Sequence, residues 1–266
     1  MKKTMRRIKL IACDLDGTLL LNGAQELQPG TCDLIQALQD RGIRFFAASG
    51  RQYTNLRRLF EPIKDEIGYL CENGCLGFYE GKRLFKELLD RALGREIIEA
   101  ILATEGAEVL LSGERVSYLQ PKDPRYERFI RNVLRNDMVV VPDILNTPED
   151  YMKVSLYEEN GIRDQELWER RFGDRCAVVT GGFDWLDMTP LNVNKGTGLR
   201  QILSYLSISP EECMAIGDND NDREMLKLAG VAVAMKSAKP SIRALADMET
   251  ETVEALFKSL LTEGAN

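Results

Sequence analysis

Two aspartates stand two positions apart in the stretch CDLDGTLL, residues 13–20, directly after an apolar run. The apolar run, 8–13, predicts a short buried strand that ends at Asp14. Two carboxylates held close together in a crevice of low dielectric repel each other unless a cation lies between them. The alternative is local: Asp14 caps a helix and Asp16 occupies a turn, because Asp-Gly is common turn chemistry. The pair alone leaves both interpretations open.

A second group of acids and amides, Asp218-Asn219-Asp220-Asn221-Asp222, follows another apolar run, 213–216. The alternation of Asp and Asn is typical of a calcium-binding loop. An EF-hand is excluded, because its sixth position is Arg223 rather than Gly and its twelfth is Ala229 rather than Glu. A polar loop that caps the next helix accounts for one or two of these residues, but not for three acids and two amides.

The chain contains no histidine. This absence excludes Ser-His-Asp and Cys-His triads, histidine zinc sites and phosphohistidine chemistry. Cys71 and Cys75 are separated by three residues and lack the second ligand pair that a zinc site needs. Any catalysis must therefore use carboxylates, lysine, hydroxyls, thiols or a metal held by oxygen.

Phosphoryl transfer is a reaction that such side chains support. Asp14, Asp16 and Asp218 offer oxygen ligands for Mg²⁺, which completes its coordination with water and substrate phosphate. Once the cation offsets these carboxylates, Asp14 can attack phosphorus, while Asp16 gives a proton to the leaving alkoxide and later takes one from water. Lys195 and the Ser49 hydroxyl can hold the transferring phosphoryl oxygens.

These side chains can cooperate only if the fold brings them together. Buried strands are predicted at 8–13, 43–48, 68–71, 213–216 and 231–235, and helices near 30–41, 54–60, 195–206, after 222 and near 251–261. Such alternation favours parallel βαβ units, whose ligands lie beyond the carboxyl ends of the strands. Asp14, Asp16, Ser49 and Asn73 all fall at the carboxyl ends of predicted strands, and Asp218 follows another. We therefore expect an α/β, Rossmann-like parallel-sheet core in which they converge.

The pattern changes over 82–186, which we interpret as an inserted α+β cap domain, with 1–81 and 187–266 forming the core. Helices predicted at 91–104, 126–134 and 163–172 alternate there with strands, including a hairpin that turns on Gly181-Gly182. The insertion lies between Ser49 and Lys195, so we expect it to close over the crevice and select substrates. An inert or oligomerising insertion is the alternative. Trp168 and Trp185 are interpreted as packing residues rather than substrate-stacking ones.

The composition limits the class of partner. The 266 residues are 44% hydrophobic and 29% charged, with a formal net charge of −7. This negative charge disfavours nucleic acid or an anionic membrane as the partner, and no apolar run is long enough to cross a bilayer.

The N-terminus MKKTMRRIKLIACDL has the basic start of a signal peptide, but its apolar stretch breaks at Asp14, which favours a first strand. The scattered cysteines favour a reduced, cytoplasmic protein, and we expect a monomer or a small homo-oligomer.

Four segments, in this order, resemble the motifs of the haloacid dehalogenase-like phosphatases. They are Asp14-Leu15-Asp16-Gly17-Thr18, Ser49-Gly50-Arg51, Lys195-Gly196 and Gly217-Asp218-x-x-Asn221-Asp222. The interval of more than a hundred residues between the second and third motifs is similar to that of the Cof-type subfamily with a type 2 cap. The resemblance covers essentially the whole chain.

The resemblance implies a role for each matched residue. Asp14 is the implied nucleophile, Asp16 the acid and base, and Lys195 a catalytic and phosphate-binding lysine. Asp14, Asp218 and the backbone carbonyl of Asp16 are the implied Mg²⁺ ligands, and Asp222 supports either the metal or the lysine. The implied contacts to phosphate or substrate are Ser49, Gly50, Arg51, Lys195 and Asn221, although an ion pair is an equal alternative for Arg51.

Two departures from the family pattern flank these motifs. The third motif is usually preceded by Gly-Val, where this chain has Asn192-Val193-Asn194. After the last core strand the family usually has Met-Gly-Asn-Ala, where this chain has Met235-Lys236-Ser237-Ala238. The catalytic positions are intact, so these changes bear on substrate preference.

The sequence therefore predicts a Mg²⁺-dependent phosphatase of small phosphorylated metabolites, with sugar phosphates as the expected substrates. A phosphomutase or phosphotransferase on the same core is one alternative. A catalytically silent binding protein is another, although the intact Asp14, Asp16, Lys195 and Asp218 argue against it.

Overall fold

Two β-sheets, each with its own helices, organise the chain in the computed structural model, which describes residues 8–263. One unit contains the described residues up to Ser49, Leu56–Phe85 and the chain from Asn194 onward, and the other contains Gly50–Asn55 and Lys86–Val193. The basic residues of the signal-peptide-like start, positions 2–7, lie outside the described residues. None of the helices between residues 8 and 263 combines the length and hydropathy that crossing a membrane needs.

The helices and strands are numbered in chain order. The strands are β1 (Leu10–Cys13), β2 (Arg44–Ala48), β3 (Gly68–Cys71), β4 (Leu76–Tyr79), β5 (Lys82–Lys86), β6 (Ala107–Ser112), β7 (Ser117–Leu119), β8 (Met138–Val140), β9 (Lys153–Glu158), β10 (Cys176–Thr180), β11 (Trp185–Pro190), β12 (Cys213–Gly217), β13 (Val231–Met235) and β14 (Met248–Thr250). The α-helices are α1 (Thr31–Gln39), α2 (Tyr53–Leu59), α3 (Arg91–Ala103), α4 (Pro124–Asn132), α5 (Gln165–Phe172), α6 (Lys195–Leu206), α7 (Arg223–Leu228), α8 (Pro240–Arg243) and α9 (Val253–Glu263).

The first unit is built on a sheet with the strand order β14-β13-β12-β1-β2-β3-β4-β5. The strands from β14 to β3 pair in parallel, and β4 is antiparallel to β3. All four residues of β1 are buried, because this strand lies inside the sheet. Parallel strands that are covered on both faces have continuous apolar sequences, as β1 and β12 do. The α/β parallel-sheet core predicted from the sequence is confirmed.

Four neighbouring strands of this sheet place polar residues at one edge. The strands β12, β1, β2 and β3 are consecutive and parallel, so their carboxyl ends lie together. The residues that follow these ends are Asp218, Asp14, Ser49 and Glu72. The sheet topology therefore assembles a polar edge from segments that are far apart in the chain.

The second unit is built on a sheet with the order β10-β11-β9-β6-β7-β8, antiparallel except between β7 and β8. Helices α3 and α5 pack on one face of this sheet and form its main apolar core, which includes Trp168. Helix α4 packs on the opposite face against Leu110, Leu119 and Tyr157. The ring of Trp185 lies 4.9 Å from that of Tyr157, so both tryptophans pack within this α+β unit.

Candidate active site

Lys195, the first residue of α6, is the centre of a buried cluster of charges. Its side chain is 0% exposed, and its Nζ donates to Asp14 Oδ1 at 2.5 Å and to Asp222 Oδ1 at 2.6 Å. Burial alone would lower the pKa of Lys195, but the charges and hydrogen bonds of Asp14 and Asp222 outweigh burial and raise the pKa well above its ordinary value. The lysine is therefore an ammonium group, and its third N–H is available for another acceptor.

The start of α6 is defined by a capping box. The Asn194 side chain accepts a hydrogen bond from the Thr197 N–H at 3.0 Å, and the Thr197 hydroxyl oxygen accepts one from the Asn194 N–H at 2.9 Å. Such reciprocal bonds satisfy donors that a helix start otherwise leaves unpaired. Asn194, which departs from the family pattern, thus fixes where the helix begins and where Lys195 is presented.

Asp14 directly follows the central strand β1. Its backbone N–H donates to the Ile216 carbonyl on β12 at 2.9 Å, which extends the sheet by one residue, and its side chain is buried. Burial first, and then the charge of Asp222, raise the pKa of the Asp14 carboxyl well above its ordinary value, against the opposing effect of Lys195. A cation bound beside Asp14 would favour the ionised carboxylate.

Asp222 and Asp218 play different parts in the loop after β12. Asp222 is fully buried; its Oδ1 faces Lys195, and its Oδ2 accepts hydrogen bonds from the N–H groups of Asp218 and Asn219, both at 3.0 Å. Asp218 accepts a hydrogen bond from the Thr18 hydroxyl at 2.9 Å, and burial together with the Asp222 charge raises its pKa. Asp222 therefore binds both Lys195 and the backbone of the loop, while Asp218 binds Thr18 of the first motif.

The donor set suits a divalent cation. Carboxylate oxygens of Asp14, Asp218 and Asp222 lie within 4.8 Å of one another, and Lys195 pairs with two of these three acids, Asp14 and Asp222. Both Asp222 oxygens already accept hydrogen bonds, which leaves Asp14 and Asp218 better placed to ligate a cation. Gly17 has φ +91°, and a Cβ there would lie 2.3 Å from Asp218 Oδ2, so glycine keeps space beside that carboxylate. Hard oxygen donors of this kind fit Mg²⁺ or a similar ion.

The other predicted site residues of the first unit lie on the same edge of the sheet. Asp16 is exposed, two residues beyond Asp14. Ser49 is buried, and its N–H donates to the Leu70 carbonyl at 2.8 Å. Asn221 is half-buried, and its Nδ2 donates to Asn73 Oδ1 at 3.2 Å. The structure thus joins Asp14, Lys195, Asp218 and Asp222 in one cluster and places Asp16, Ser49 and Asn221 on the strand ends around it.

Gly50 and Arg51 are grouped differently from Ser49. By their contacts they belong to the second unit, where the Gly50 carbonyl accepts a hydrogen bond from Lys153 Nζ at 3.0 Å. Arg51 Nη1 donates to Asn55 Oδ1 at 3.3 Å, within the same short segment. The second motif is therefore divided between the two units.

Two residues to which the sequence analysis gave no chemical role contact the site, and Asn73 was among the residues expected to converge there. Thr18 holds the Asp218 carboxylate, and Asn73 holds the Asn221 amide. Thr18 lies within the first motif, and Asn73 is the second residue after β3, so its position near a strand end was the signal that predicted it at the site.

Comparison with known proteins identifies the family. The sequence model of the haloacid dehalogenase-like hydrolases matches residues 11–255. The 5-amino-6-(5-phospho-D-ribitylamino)uracil phosphatase YbjI of Escherichia coli is 30% identical over 241 residues, which cover 90% of this chain and 89% of the relative. Phosphatase YwpJ of Bacillus subtilis is 25% identical over 272 residues, covering 92% and 95%. The crystal structure of SMU.1108c from Streptococcus mutans, 26% identical, has a TM-score of 0.85 and covers 96% of this chain and 99% of that one.

The chain belongs to the haloacid dehalogenase-like hydrolases, and the resemblance seen in its four motifs is confirmed. The two relatives described above are named phosphatases, and the acidic cluster of this chain contains the donor types that phosphoryl transfer requires. Within the family it is a phosphatase of small phosphorylated metabolites.

The close approach of Gly17 to Asp218 generates a testable prediction. We expect Gly17→Ala to weaken Mn²⁺ binding at least tenfold, because the new Cβ must displace the Asp218 carboxylate. Gly23→Ala is a matched control: Gly23 has φ +74° and nothing within 4 Å of the added Cβ, so it introduces backbone strain alone. Mn²⁺ titration followed by electron paramagnetic resonance measures the affinity. Equal weakening in both variants would show that strain, rather than crowding of Asp218, is responsible.

Proposed function

We propose that the protein is a Mg²⁺-dependent phosphatase that hydrolyses phosphate monoesters of sugars and related polyols through an aspartyl-phosphate on Asp14. The observation that carries this proposal is the buried Asp14–Lys195–Asp222 cluster with Asp218 beside it. The lysine engages one oxygen of Asp14, which orients the carboxylate for attack by the other. This set needs no histidine, and the chain has none.

In the first step, a carboxylate oxygen of Asp14 forms a bond to phosphorus while the bond from phosphorus to the leaving oxygen breaks. Asp16 donates its proton to that leaving oxygen. Lys195 uses its remaining N–H, and Ser49 and Asn221 use their polar hydrogens, to hold the phosphoryl oxygens. The product alcohol leaves, and the phosphoryl group stays on Asp14.

In the second step, water attacks phosphorus and gives its proton to Asp16, which is now a carboxylate. The bond between phosphorus and the Asp14 oxygen breaks, and orthophosphate and the free Asp14 carboxylate result. Asp16 is exposed, as a group that exchanges protons with successive reactants must be. Mg²⁺ held by Asp14, Asp218 and the Asp16 backbone carbonyl would supply positive charge that offsets the carboxylates and the phosphate.

The second unit is proposed to select the leaving group. It is inserted in the chain between Ser49 and Lys195, and it contains none of the residues assigned to nucleophilic attack, proton transfer or metal binding. One face of its sheet is apolar, since Val154, Leu156, Leu186 and Met188 pack against α3 and α5. Side chains alternate between faces along a strand, so the intervening residues point to the opposite face.

That opposite face carries a group of polar residues, here called the polar face. Its members are Ser112, Ser117, Lys153, Ser155, Asp187 and Thr189. Ser112 is paired with both Ser117 and Lys153, Ser155 is paired with Asp187, and Thr189 lies two residues beyond Asp187 on the same strand. All six are buried, and the hydroxyls of Ser117 and Thr189 have no hydrogen-bond partner among the described residues. A buried hydroxyl without a partner costs about 1–3 kcal/mol, which a ligand with hydroxyl groups would relieve.

The charges on the polar face favour an uncharged leaving group. Lys153 Nζ lies 3.1 Å from Asp187 Oδ2, and Asp187 Oδ1 accepts a hydrogen bond from Ser155 at 2.6 Å, so the two charges compensate each other. A second phosphate or a carboxylate on the substrate would meet no unpaired cation there. The E. coli relative described above is named for a substrate whose phosphate is carried by a ribityl chain, which is a polyol. Both observations support sugar and polyol phosphates as substrates.

The nucleophile assignment is tested with Asp14→Asn on a panel of sugar phosphates, polyol phosphates and nucleotides. We expect wild-type protein to release phosphate with Mg²⁺ and the variant to lose at least a thousandfold in kcat, because the amide cannot attack phosphorus. Phosphate release and the circular dichroism of both proteins are measured together. Activity of a folded Asp14→Asn variant within tenfold of wild type would exclude the covalent mechanism.

Proton donation by Asp16 predicts a dependence on the leaving group. We expect Asp16→Asn to slow the hydrolysis of phosphate esters of alkyl alcohols much more than the hydrolysis of p-nitrophenyl phosphate. The reason is that a good leaving group departs without being protonated. The slope of log kcat/KM against leaving-group pKa measures this in both proteins. A uniform loss across the series would argue against Asp16 as the acid.

Metal dependence is tested by chelation. EDTA should abolish turnover and added Mg²⁺ should restore it, because the three carboxylates of the cluster otherwise face one ammonium. Excess Ca²⁺ should inhibit, since it prefers higher coordination and looser geometry. Full activity after exhaustive chelation would refute the metal assignment.

Leaving-group selection by the polar face is tested with Thr189→Val. This variant should lower kcat/KM for polyol phosphates about tenfold, which is the factor expected from the loss of one hydrogen bond. It should leave the hydrolysis of acetyl phosphate unchanged. Thr147→Val is the matched control: the Thr147 hydroxyl is also buried without a partner, but it follows the turn Ile144–Asn146, which packs against α3. Equal losses in the two variants, or none in Thr189→Val, would contradict the assignment.

A further inference from the structure

The turn Glu72-Asn73-Gly74, between β3 and β4, has an unusual backbone. Its three residues have φ values of +50°, +55° and +105°, and no other stretch of the described chain has three positive values in a row. This left-handed backbone conformation costs about 1–2 kcal/mol for each residue that is not glycine. Such strain persists only where surrounding contacts over-determine it, and it concentrates at functional sites. The turn is also buried, with Asn73 only 4% exposed.

Asn73 connects two of the strand ends that carry proposed phosphate contacts. Its backbone N–H donates to the Ser49 carbonyl at 3.1 Å, and its side-chain Oδ1 accepts a hydrogen bond from Asn221 Nδ2 at 3.2 Å. One residue therefore joins the end of β2 to the loop after β12, on the two sides of β1.

Gly74 connects the same turn to the start of α6. A Cβ on Gly74 would lie 2.2 Å from the Asn194 carbonyl oxygen and 3.0 Å from the Lys195 nitrogen, so the two backbones are in direct contact. Only glycine permits this approach, and at φ +105° only glycine adopts the conformation without strain. The turn thus touches the segments that present Ser49, Asn221 and Lys195.

We propose that this turn, here called the ENG turn, is a positioning element that sets the separation of the three proposed phosphate-binding residues. The inference rests on the proposed function for the roles of those residues. Asn73 acts through Asn221: its side chain accepts from the Asn221 amide and so fixes the direction in which that amide presents its other N–H. Asparagine suits the position, because among residues with a side chain it tolerates the left-handed conformation best. Productive geometry requires placement within about 0.5 Å, and the ENG turn is a contact common to the three segments that present these residues.

The test removes the side chain of Asn73 without changing the backbone. Asn73→Gly keeps a residue that adopts φ +55° freely, so the fold is retained while the hydrogen bond to Asn221 is lost. Ser207→Gly is the matched control, since Ser207 has φ 54° and ψ 41° and ends α6. At 1.5 Å per residue it lies roughly 18 Å from Lys195.

We expect Asn73→Gly to lower kcat/KM for phosphate esters about tenfold at wild-type stability, and Ser207→Gly to leave it unchanged. Because Asn73 acts through Asn221, the double variant Asn73→Gly/Asn221→Ala should be no slower than Asn221→Ala alone. Additive losses in the double variant, or unchanged kinetics in a folded Asn73→Gly, would overturn the proposal.

Hydrogen exchange provides a readout that does not depend on turnover. In protein without substrate, Asn73→Gly should accelerate amide exchange at residues 217–223, and Ser207→Gly should not. If wild-type protein hydrolyses no phosphate ester, the proposed function fails, whereas faster exchange at 217–223 still supports the positioning role. Unchanged exchange there overturns the positioning role whatever the kinetics show.

Discussion

A buried lysine held between two buried aspartates is the interaction on which the rest of the first unit depends. Removing an ammonium or a carboxylate from water is prohibitive unless charges and hydrogen bonds compensate it. Lys195, at 0% exposure, therefore requires Asp14 and Asp222 at 2.5 and 2.6 Å, and each of them requires the lysine. Because the three residues come from α6, β1 and the loop after β12, this cluster holds those elements at fixed separations. The addition of Asp218 leaves an excess of negative charge, which is the physical reason to expect a cation.

The parallel sheet makes so compact a cluster possible. Neighbouring strands lie about 4.8 Å apart, so the four carboxyl ends of β12, β1, β2 and β3 span roughly 15 Å, within reach of short side chains. The segments approach so closely that side chains are excluded at particular points. At Gly217, for example, a Cβ would lie 2.6 Å from the Asp222 Cβ. The ENG turn extends the same close packing to the fourth strand end, where backbone strain is offset by contacts with three motifs.

The two faces of the sheet in the second unit differ in chemical character. Its apolar face is covered by α3 and α5 and forms the larger core of that unit. Its polar face carries buried hydroxyls and a compensated ion pair, which contribute little to a hydrophobic core but can discriminate among ligands. Under the proposed function, substitutions on the polar face change selectivity while leaving the apolar packing of the unit intact.

The sequence by itself determined the α/β class, because strands covered on both faces have continuous apolar sequences and the helices between them have helical periodicity. It also determined which residue types follow the strands, and hence oxygen-based phosphoryl chemistry without histidine. The strands Leu76–Tyr79 and Lys82–Lys86 were not predicted, since their pairing at the sheet edge depends on distant neighbours more than on local pattern. Only the tertiary structure decided that Asp222 pairs with Lys195, where the sequence left metal or lysine open, and that Asn73 binds Asn221 across 148 residues of chain. The physical reason is that such contacts depend on how closely separate elements pack, which local sequence does not encode.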